Sequence, residues 1–338
     1  MINVGVIGTG MIGQDHIRRM TSVLSGVRVC AVSDVDAATA ASVGERVGAA
    51  VHTTGQELIA DPSVDATLVC SWGPTHEQYV LAAIAAGKPV FCEKPLATTT
   101  EACQRIIEAE TAYGGRLVQV GYMRRYDSAY RALKAVLDSG QIGNPLLMHC
   151  AHRNPSVPGV YEKDMAITDT AVHEIDMVRW MLGEEIRAVR VLVPRRSRNG
   201  GILQDPLFLL METAGGAIVD VEISVNIRYG YDIRGEIVGE DGTAALGELS
   251  PLVVRHAGQV ATPVPADWRE RFIRAYDIEL QEWIDGIAGG VPATGPSSWD
   301  GYAAAVVSDA GVSALHSGER VPIALMDKPK LYAAEAAA

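Results

Sequence analysis

The sequence predicts an α/β protein of two domains, a doubly wound parallel sheet over residues 1–120 and an α+β domain over residues 121–338. Three observations predict it. Short, nearly continuous Val- and Ile-rich runs recur through the first 120 residues, separated by amphipathic segments long enough to cross back over a sheet. A glycine-rich turn, Gly8-Thr9-Gly10-Met11-Ile12-Gly13, joins the first such run to a helical pattern. Beyond residue 121 the apolar residues begin to alternate with polar ones, the mark of strands with one wet face.

Taken in order, the first-half strands are Ile2–Ile7, Val27–Ser33, Asp65–Ser71, Pro89–Cys92 and Arg116–Val120. Each is apolar nearly throughout, as strands covered on both faces are. Segments such as Thr75–Ala86 and Thr99–Tyr113 have helical periodicity and supply the crossovers. In the second half, Ala217–Asn226 sends Val219, Val221, Ile223 and Val225 one way and Asp220, Glu222, Ser224 and Asn226 the other. This is the pattern of an antiparallel strand. Gly215-Gly216 and Asp241-Gly242 fall between strand-like runs and read as hairpin turns. Two long helices follow, Asp267–Ile287 and Trp299–Ser317, and the Ala-rich tail after Leu331 is expected to fray. No internal repeat or low-complexity tract interrupts this plan.

Composition narrows the function. With 338 residues and 48% hydrophobic content, the chain can build a real core. Acidic residues outnumber basic ones, 41 to 29, giving a formal net charge of −12. Such a surface repels a phosphate backbone, which argues against nucleic acid or an anionic membrane as partner. No apolar stretch reaches the roughly 18 residues of a membrane span, and the N-terminus lacks the pattern of a secretory signal. The five cysteines are scattered and never spaced C-x-x-C, which suits a reducing cytoplasm.

The glycine turn has a mechanical logic. Gly8 permits the tight turn, Gly10 lets backbone approach a pyrophosphate, and Gly13 lets the helix pack close to the strand. The helix N-terminus then offers free N–H groups to phosphate. Alone the motif is weak in a chain with 34 glycines, but Asp34 closes the second strand 21 residues past Gly13. A carboxylate there accepts from a ribose 2′-hydroxyl and repels a 2′-phosphate, and no Arg follows it. The expected cofactor is NAD.

Two further clusters carry chemistry. Phe91-Cys92-Glu93-Lys94-Pro95-Leu96 closes the Pro89–Cys92 strand and holds one of only six lysines, at the sheet edge where ligands bind in such folds. In Ile167–Asp176, helical geometry would stack Asp169, His173 and Asp176 at i, i+4 and i+7, beside an apolar stripe of Val172, Ile175 and Leu182. Oxidation of an alcohol needs a proton acceptor beside a hydride acceptor. A histidine suits the former near neutral pH, an aspartate can orient it, and a lysine can stabilise a developing alkoxide. His149-Cys150-Ala151-His152 tempts as a metal site, yet in a strand positions 149 and 152 face opposite sides. No metal is expected.

Together these motifs resemble the glucose–fructose oxidoreductase and inositol dehydrogenase (Gfo/Idh/MocA) family. The carrying residues are the glycine turn, Glu93-Lys94-Pro95 and Asp169-x-x-x-His173. The finer strings Ser71-Trp72-Gly73-Pro74, Gly121–Asp127, His149–Pro155, Tyr229–Asp232 and Val238–Gly242 are similar to its bacterial myo-inositol 2-dehydrogenase branch. The resemblance covers nearly the whole chain. It implies a Rossmann domain followed by an α+β domain with a large, mostly antiparallel open sheet. It also implies a catalytic trio of Lys94, Asp169 and His173, with a cis Lys94–Pro95 peptide. Ser71, Trp72, His76, Glu93 and Lys94 join Gly8, Thr9, Gly10, Met11, Ile12, Gly13 and Asp34 as cofactor residues, Trp72 and His76 on the nicotinamide side. Arg124, His152, Asn154, Asp176 and Tyr231 would meet substrate hydroxyls, with Trp268 and Tyr276 as weaker candidates. A homotetramer with sheets packed face to face is implied as well.

The resulting expectation is a cytoplasmic NAD-dependent dehydrogenase of a small polyhydroxylated ring. A buried polar site of this kind rejects analogues lacking a hydroxyl. Other stereoisomers or a pyranose such as glucose keep the same redox step. An NAD-dependent glycosidase without net redox turnover, and a regulatory dinucleotide-binding protein, are the alternatives of other classes.

Overall fold

The computed structural model describes residues 1–247, 252–291 and 293–333. These divide into two compact units, the first built from Met1–Tyr122, Tyr276–Ala305 and the described residues from Met326 onward. The expected division after residue 120 is a division along the chain. The packing is interleaved, because residues after 275 carry apolar side chains into the first unit's core.

The first unit holds a six-stranded sheet. Its strands are β1 (Ile2–Ile7), β2 (Val27–Ser33), β3 (Ala50–Val51), β4 (Ala66–Val69), β5 (Val90–Glu93) and β6 (Val118–Gly121). They lie in the order β3-β2-β1-β4-β5-β6, and every pair is parallel. The helices are α1 (Met11–Ser22), α2 (Ala37–Val47), α3 (Gly55–Ala60), α4 (His76–Ala85) and α5 (Thr100–Tyr113). β3 escaped the sequence reading because it is two residues long and exposed, with no run of buried side chains to betray it. β4, β5 and β6 are buried at every residue, as their apolar composition requires.

Three of these helices start on side-chain caps. Asp36 accepts from the N–H groups of Ala38 and Thr39, Thr54 and Glu57 form a capping box, and Thr99 accepts from Ala102. α1 does not: Gly10 precedes it with no side-chain cap and no acid in its first turn. The core beneath it joins Val4, Val6, Ile17, Val32, Leu68 and Phe91 with Leu280, Trp283 and Ile284 from the returning chain. Burying each such side chain stabilises by about 1.5–3 kcal/mol.

The tail expected to fray is instead anchored at Tyr332. It lies in a short helix, α10 (Lys330–Ala333), fully buried, with its hydroxyl donating to Glu110 Oε2 at 2.7 Å. The Glu110 carboxylate also accepts from Ser298 and from the backbone N–H groups of Leu117 and Val118, so this buried acid draws the chain end onto the β6 side of the sheet. The remainder of that tail lies outside the described residues.

The second unit comprises Met123–Ala275 and Val306–Leu325. Its elements are α6 (Ser128–Asp138), β7 (Pro145–Arg153), α7 (Val172–Leu182), β8 (Ile186–Leu192), β9 (Leu207–Thr213), β10 (Ile218–Ser224), β11 (Asp232–Gly239) and β12 (Thr243–Ala245). A small hairpin, β13 (Val254–His256) with β14 (Gln259–Ala261), follows. The seven-stranded sheet runs β12-β11-β7-β10-β9-β8-β15, where β15 is Val321–Pro322. It is mostly antiparallel. The alternating strand, β10, pairs antiparallel with β9 as expected, but parallel with β7 on its other side. Period two reports one covered face and is blind to the direction of a neighbour. Gly215-Gly216 and Asp241-Gly242 do form the turns between β9 and β10 and between β11 and β12. The long helices are α8 (Trp268–Ala288) and α9 (Ser298–Ser317), each contributing residues to both units. Among the described residues, no helix is long and apolar enough to cross a membrane.

Candidate active site

The glycine turn emerges from the carboxyl end of β1. Gly8 has φ +92°, a conformation that L side chains rarely adopt, and a Cβ there would sit 2.5 Å from the Cys70 and Ser71 backbone. At Gly13 a Cβ would meet the Gly8 carbonyl oxygen at 2.0 Å, so the helix can approach its own loop only without a side chain. Gly10 differs. Its φ of −70° suits any residue and a Cβ would have nothing within 4 Å. Backbone fit does not demand glycine here; open space above an uncapped helix N-terminus does, if an anion is to come close.

Around the turn, Thr9 is fully buried and Ile12 packs against the core, while Met11 is exposed. Asp34 Oδ2 accepts from the Thr9 N–H at 2.5 Å and from its hydroxyl at 2.9 Å, and Oδ1 accepts from the Asp36 N–H. One carboxylate thus clamps the turn from the end of β2. A dinucleotide fits this set. The Gly10 surface and the α1 N-terminus, which has no side-chain cap, suit a pyrophosphate, and the Asp34 carboxylate suits a ribose hydroxyl.

The next loops along the sheet edge hold the other first-unit residues. Trp72 stands 78% exposed, beside Ser71, whose hydroxyl pairs with that of Thr75 at 2.7 Å. His76 is buried. Its Nδ1 lies 2.7 Å from the Pro95 carbonyl and its Nε2 2.9 Å from the Ser71 carbonyl, so the ring ties the β4 loop to the β5 loop. Lys94 follows β5, half-buried, and its peptide bond to Pro95 is cis. Glu93 does not face the open edge. Its buried carboxylate turns to α1, accepting from His16 Nε2 at 2.7 Å and from the Lys94 N–H at 3.2 Å. Tyr276 belongs to the same buried region, under the Arg19 guanidinium at 4.8 Å.

In the second unit, the residues of the Asp169–His173 stretch do not form one continuous α-helix. Ala166–Ala171 is π-helical, and α7 starts at Val172. Regular α-helical spacing therefore begins at Val172, and Asp169 reaches His173 through a π-turn, which closes i to i+5. Such turns concentrate at functional sites. Asp169 and His173 are both half-buried, at the rim of the core. Asp176 is almost wholly buried and receives a bidentate guanidinium from Arg125, at 2.5 and 3.0 Å.

The sheet face beneath α7 carries a buried polar cluster. His152, from β7, lies between Ile223 of β10 and Ile233 of β11. Its Nδ1 is 3.0 Å from Glu174 Oε2 and 3.1 Å from Arg124 Nη2, while its Nε2 is 3.4 Å from the Tyr231 hydroxyl. Arg124 also pairs directly with Glu174. Burial alone would raise the Glu174 carboxyl, but Arg124 and His152 hold it below the usual carboxylate range. Burial pushes the Tyr231 phenol up to about 12, against the pull of Arg124. The His173 ring centroid is 6.2 Å from that of His152. His152, Arg124, Tyr231 and His173 are thus brought together. Asn154 is half-buried at the end of the same strand, with its backbone bonded to Ser224 and Ile227. Trp268 begins α8, with the Arg269 guanidinium 4.6 Å over its ring. His149 is on the other face of β7, exposed and paired with Asp220 at 2.5 Å, so it and His152 do point apart.

Glu174 was missed by the sequence reading, although a signal exists. Ala171, Glu174, Ile175 and Val178 are all buried at the spacing of a core stripe, and an acid on such a stripe needs a buried cation. His16 carries the same signal, standing with Gly13, Ile17 and Met20 on the buried face of α1. Among the described residues, no group of three or more His, Cys, Asp or Glu is arranged to hold a metal ion.

Comparison with known proteins gives concordant findings. Residues 2–122 match a family profile described as the Gfo/Idh/MocA oxidoreductase family, NAD-binding Rossmann fold, and residues 134–324 match that family's C-terminal alpha/beta domain. The chain is 56% identical over 332 residues to inositol 2-dehydrogenase 3 of Saccharopolyspora erythraea, covering 98% of both chains. It is 55% identical to inositol 2-dehydrogenase of Pseudomonas savastanoi pv. phaseolicola, covering 98% of this chain and 99% of that one. Among solved structures it is similar to myo-inositol dehydrogenase from Lactobacillus casei in complex with NAD(H) and myo-inositol. There the TM-score is 0.96 at 40% identity, covering 98% of this chain and 99% of the other.

Proposed function

The chain belongs to the Gfo/Idh/MocA oxidoreductase family, and from that premise we propose that it is an NAD-dependent dehydrogenase of a cyclitol ring hydroxyl, oxidising myo-inositol to scyllo-inosose. The observation that carries this reading is the full-length likeness to an enzyme crystallised with both NAD(H) and myo-inositol. The buried cluster of Arg124, His152 and Tyr231 supports it, because a polyhydroxylated ring is recognised by donors and acceptors that leave an analogue's missing hydroxyl unmatched.

NAD, held by Gly8–Gly13 and Asp34, supplies the acceptor for the hydride leaving the carbinol carbon. The chain's own work is acid–base. His173 takes the hydroxyl proton as the ketone forms, and Asp169 orients the imidazole and stabilises its cationic form. Lys94 stabilises the negative charge developing on the oxygen. Arg124, His152, Asn154 and Tyr231 hold the remaining hydroxyls. Two electrons and one hydrogen depart as hydride and one proton passes to His173, which balances the oxidation.

The same reading extends to a cytosolic homotetramer. Four of the five free cysteines are buried, in keeping with a reducing compartment. The open face of the second unit's sheet mixes exposed Leu147, Leu192 and Ile218 with the His149–Asp220 pair, a composition suited to burial against a second copy.

Following NADH absorbance over myo-, scyllo- and D-chiro-inositol and glucose tests the proposal. The expected result is the highest kcat/KM with myo-inositol. Absence of NADH formation with every cyclitol, or preference for glucose, overturns it.

A further inference from the structure

Behind Lys94 lies a buried chain of hydrogen bonds that the reaction as proposed above does not use. Glu93, the last residue of β5, spends one carboxylate oxygen on His16 Nε2 (2.7 Å) and the other on the Lys94 backbone N–H (3.2 Å). His16 is fully buried on α1, the helix that starts within the glycine turn. Its Nδ1 is 3.4 Å from Arg19 Nη1, and Arg19, also fully buried, is anchored by Asp15 at 2.5 Å and Asp277 at 3.0 Å. Phe91 and Tyr276 wall the imidazole at ring separations of 6.2 and 5.7 Å.

The partners select one tautomer. An Nε2–H donates to Glu93, and a bare Nδ1 accepts from the always-protonated Arg19. Arg19 Nη1, His16 Nε2 and the Lys94 N–H each meet an acceptor along the series, while Arg19 Nη2 is buried without one. A buried carboxylate and a buried imidazole are costly to keep unless each is satisfied, so the arrangement has essentially one low-energy geometry.

We propose that Arg19, His16 and Glu93 form a positioning relay that fixes the Lys94 backbone relative to the dinucleotide-binding helix. It rests on the reading of Lys94 as a catalytic group. Glu93 and His16 are positioning residues: neither touches the reacting atoms, and they act only through the place they give Lys94. The relay explains why an acid immediately precedes the lysine yet turns away from the open edge. It also explains why α1 carries a histidine and an arginine on its buried side.

The test uses the full-length enzyme with His16→Phe, which keeps the ring and removes both polar atoms, and His16→Gln, which can restore a donor toward Glu93. Expected for His16→Phe is a fall in kcat of ~10- to 100-fold, the scale of an ångström-level misplacement of a catalytic group. The Kd for NAD, read by tryptophan fluorescence, should move less than about 3-fold, a KM-against-kcat split. Hydrogen exchange at the Lys94 amide should rise, and His16→Gln should recover most of the kcat. In a Lys94→Ala background, His16→Phe should lower kcat no further, because the relay has nothing left to place.

Wild-type kcat in His16→Phe, or effects of the two substitutions that multiply, overturns the relay while leaving Lys94 catalytic. Full activity in Lys94→Ala overturns the reading beneath it, and the relay with it. Should His16→Phe fail to fold, Glu93→Gln serves instead. Its carbonyl oxygen can stand at the Oε1 position or at the Oε2 position but not at both, which sets the amide NH2 against either His16 or the Lys94 N–H. The same kcat fall and the same non-additivity with Lys94→Ala are therefore expected, and a wild-type kcat refutes the relay.

Discussion

The His152 ring and the Glu174 carboxylate meet at 3.0 Å beneath α7, and both side chains are almost entirely removed from water. With Arg124 on the same carboxylate, the acid is ionised and neutralised at once. Arg124 cannot shed its charge, so the pair must persist or leave a buried cation unmatched.

Glu174→Gln should therefore destabilise the protein at neutral pH by about 3–5 kcal/mol, the cost of breaking one side of a buried ion pair. The pH dependence follows from the depressed Glu174 pKa. A carboxylate held below its unfolded value contributes stability above the ordinary glutamate pKa of about 4.3, and that contribution is lost as pH falls through the folded value. The gap between wild type and variant in urea denaturation should be widest near pH 7 and shrink below about pH 4. A constant gap across that range contradicts the ion-pair account.

The two later glycines of the turn should respond differently to alanine. Gly13→Ala drives a Cβ to within 2.0 Å of a backbone oxygen and should lower Tm. Gly10→Ala meets nothing in the chain and should leave Tm near wild type while weakening NAD binding. Calorimetry and an NAD titration on both variants separate the outcomes. Equal loss of stability in the two would mean that Gly10 serves the fold rather than the cofactor.

Removing the Asp34 carboxylate should weaken NAD about 10-fold or more, since hydrogen bonds to a charged group are worth about 1.5–3 kcal/mol. It should also narrow the preference for NAD over NADP. The measurement is the ratio of kcat/KM for the two cofactors in Asp34→Ala. An unchanged ratio would restrict Asp34 to its visible duty of clamping Thr9.

Tyr332→Phe removes one of the donors to buried Glu110 and should cost about 1–3 kcal/mol. The kcat of the folded fraction should stay at the wild-type value. Loss of kcat without a lower Tm would show that the chain end does more than hold the first unit together.

Alanine at His173 or at Lys94 should reduce kcat about 10²–10⁴-fold, the usual contribution of a positioned acid–base group. Stopped-flow NADH formation at neutral pH reads the effect, and wild-type rates in either variant would remove that residue from the proposed chemistry.

Local patterns along this chain were enough for much of the fold. β1 and β2 stand at their expected residues because short, nearly continuous apolar runs fit the interior strands of a covered sheet. Gly8 and Gly13 were legible because their roles depend on backbone sterics at fixed spacing, which sequence records directly. Lys94 stood out by rarity and by its place after a buried strand. The partners of these residues were not legible. Glu174 finds Arg124 fifty positions away, and Glu93 finds His16 seventy-seven away, because a buried charge takes whichever counter-group the packing brings up. The π-turn before α7, the parallel pairing of β10 with β7, and the return of Leu280 and Trp283 into the first unit's core were decided at the same level. By itself the sequence determined which segments could be strands and helices, where a dinucleotide turn would lie and which groups could do acid–base chemistry. Only the tertiary structure decided which buried charges face one another, since desolvation is settled by neighbours in space and leaves no mark on the spacing along the chain.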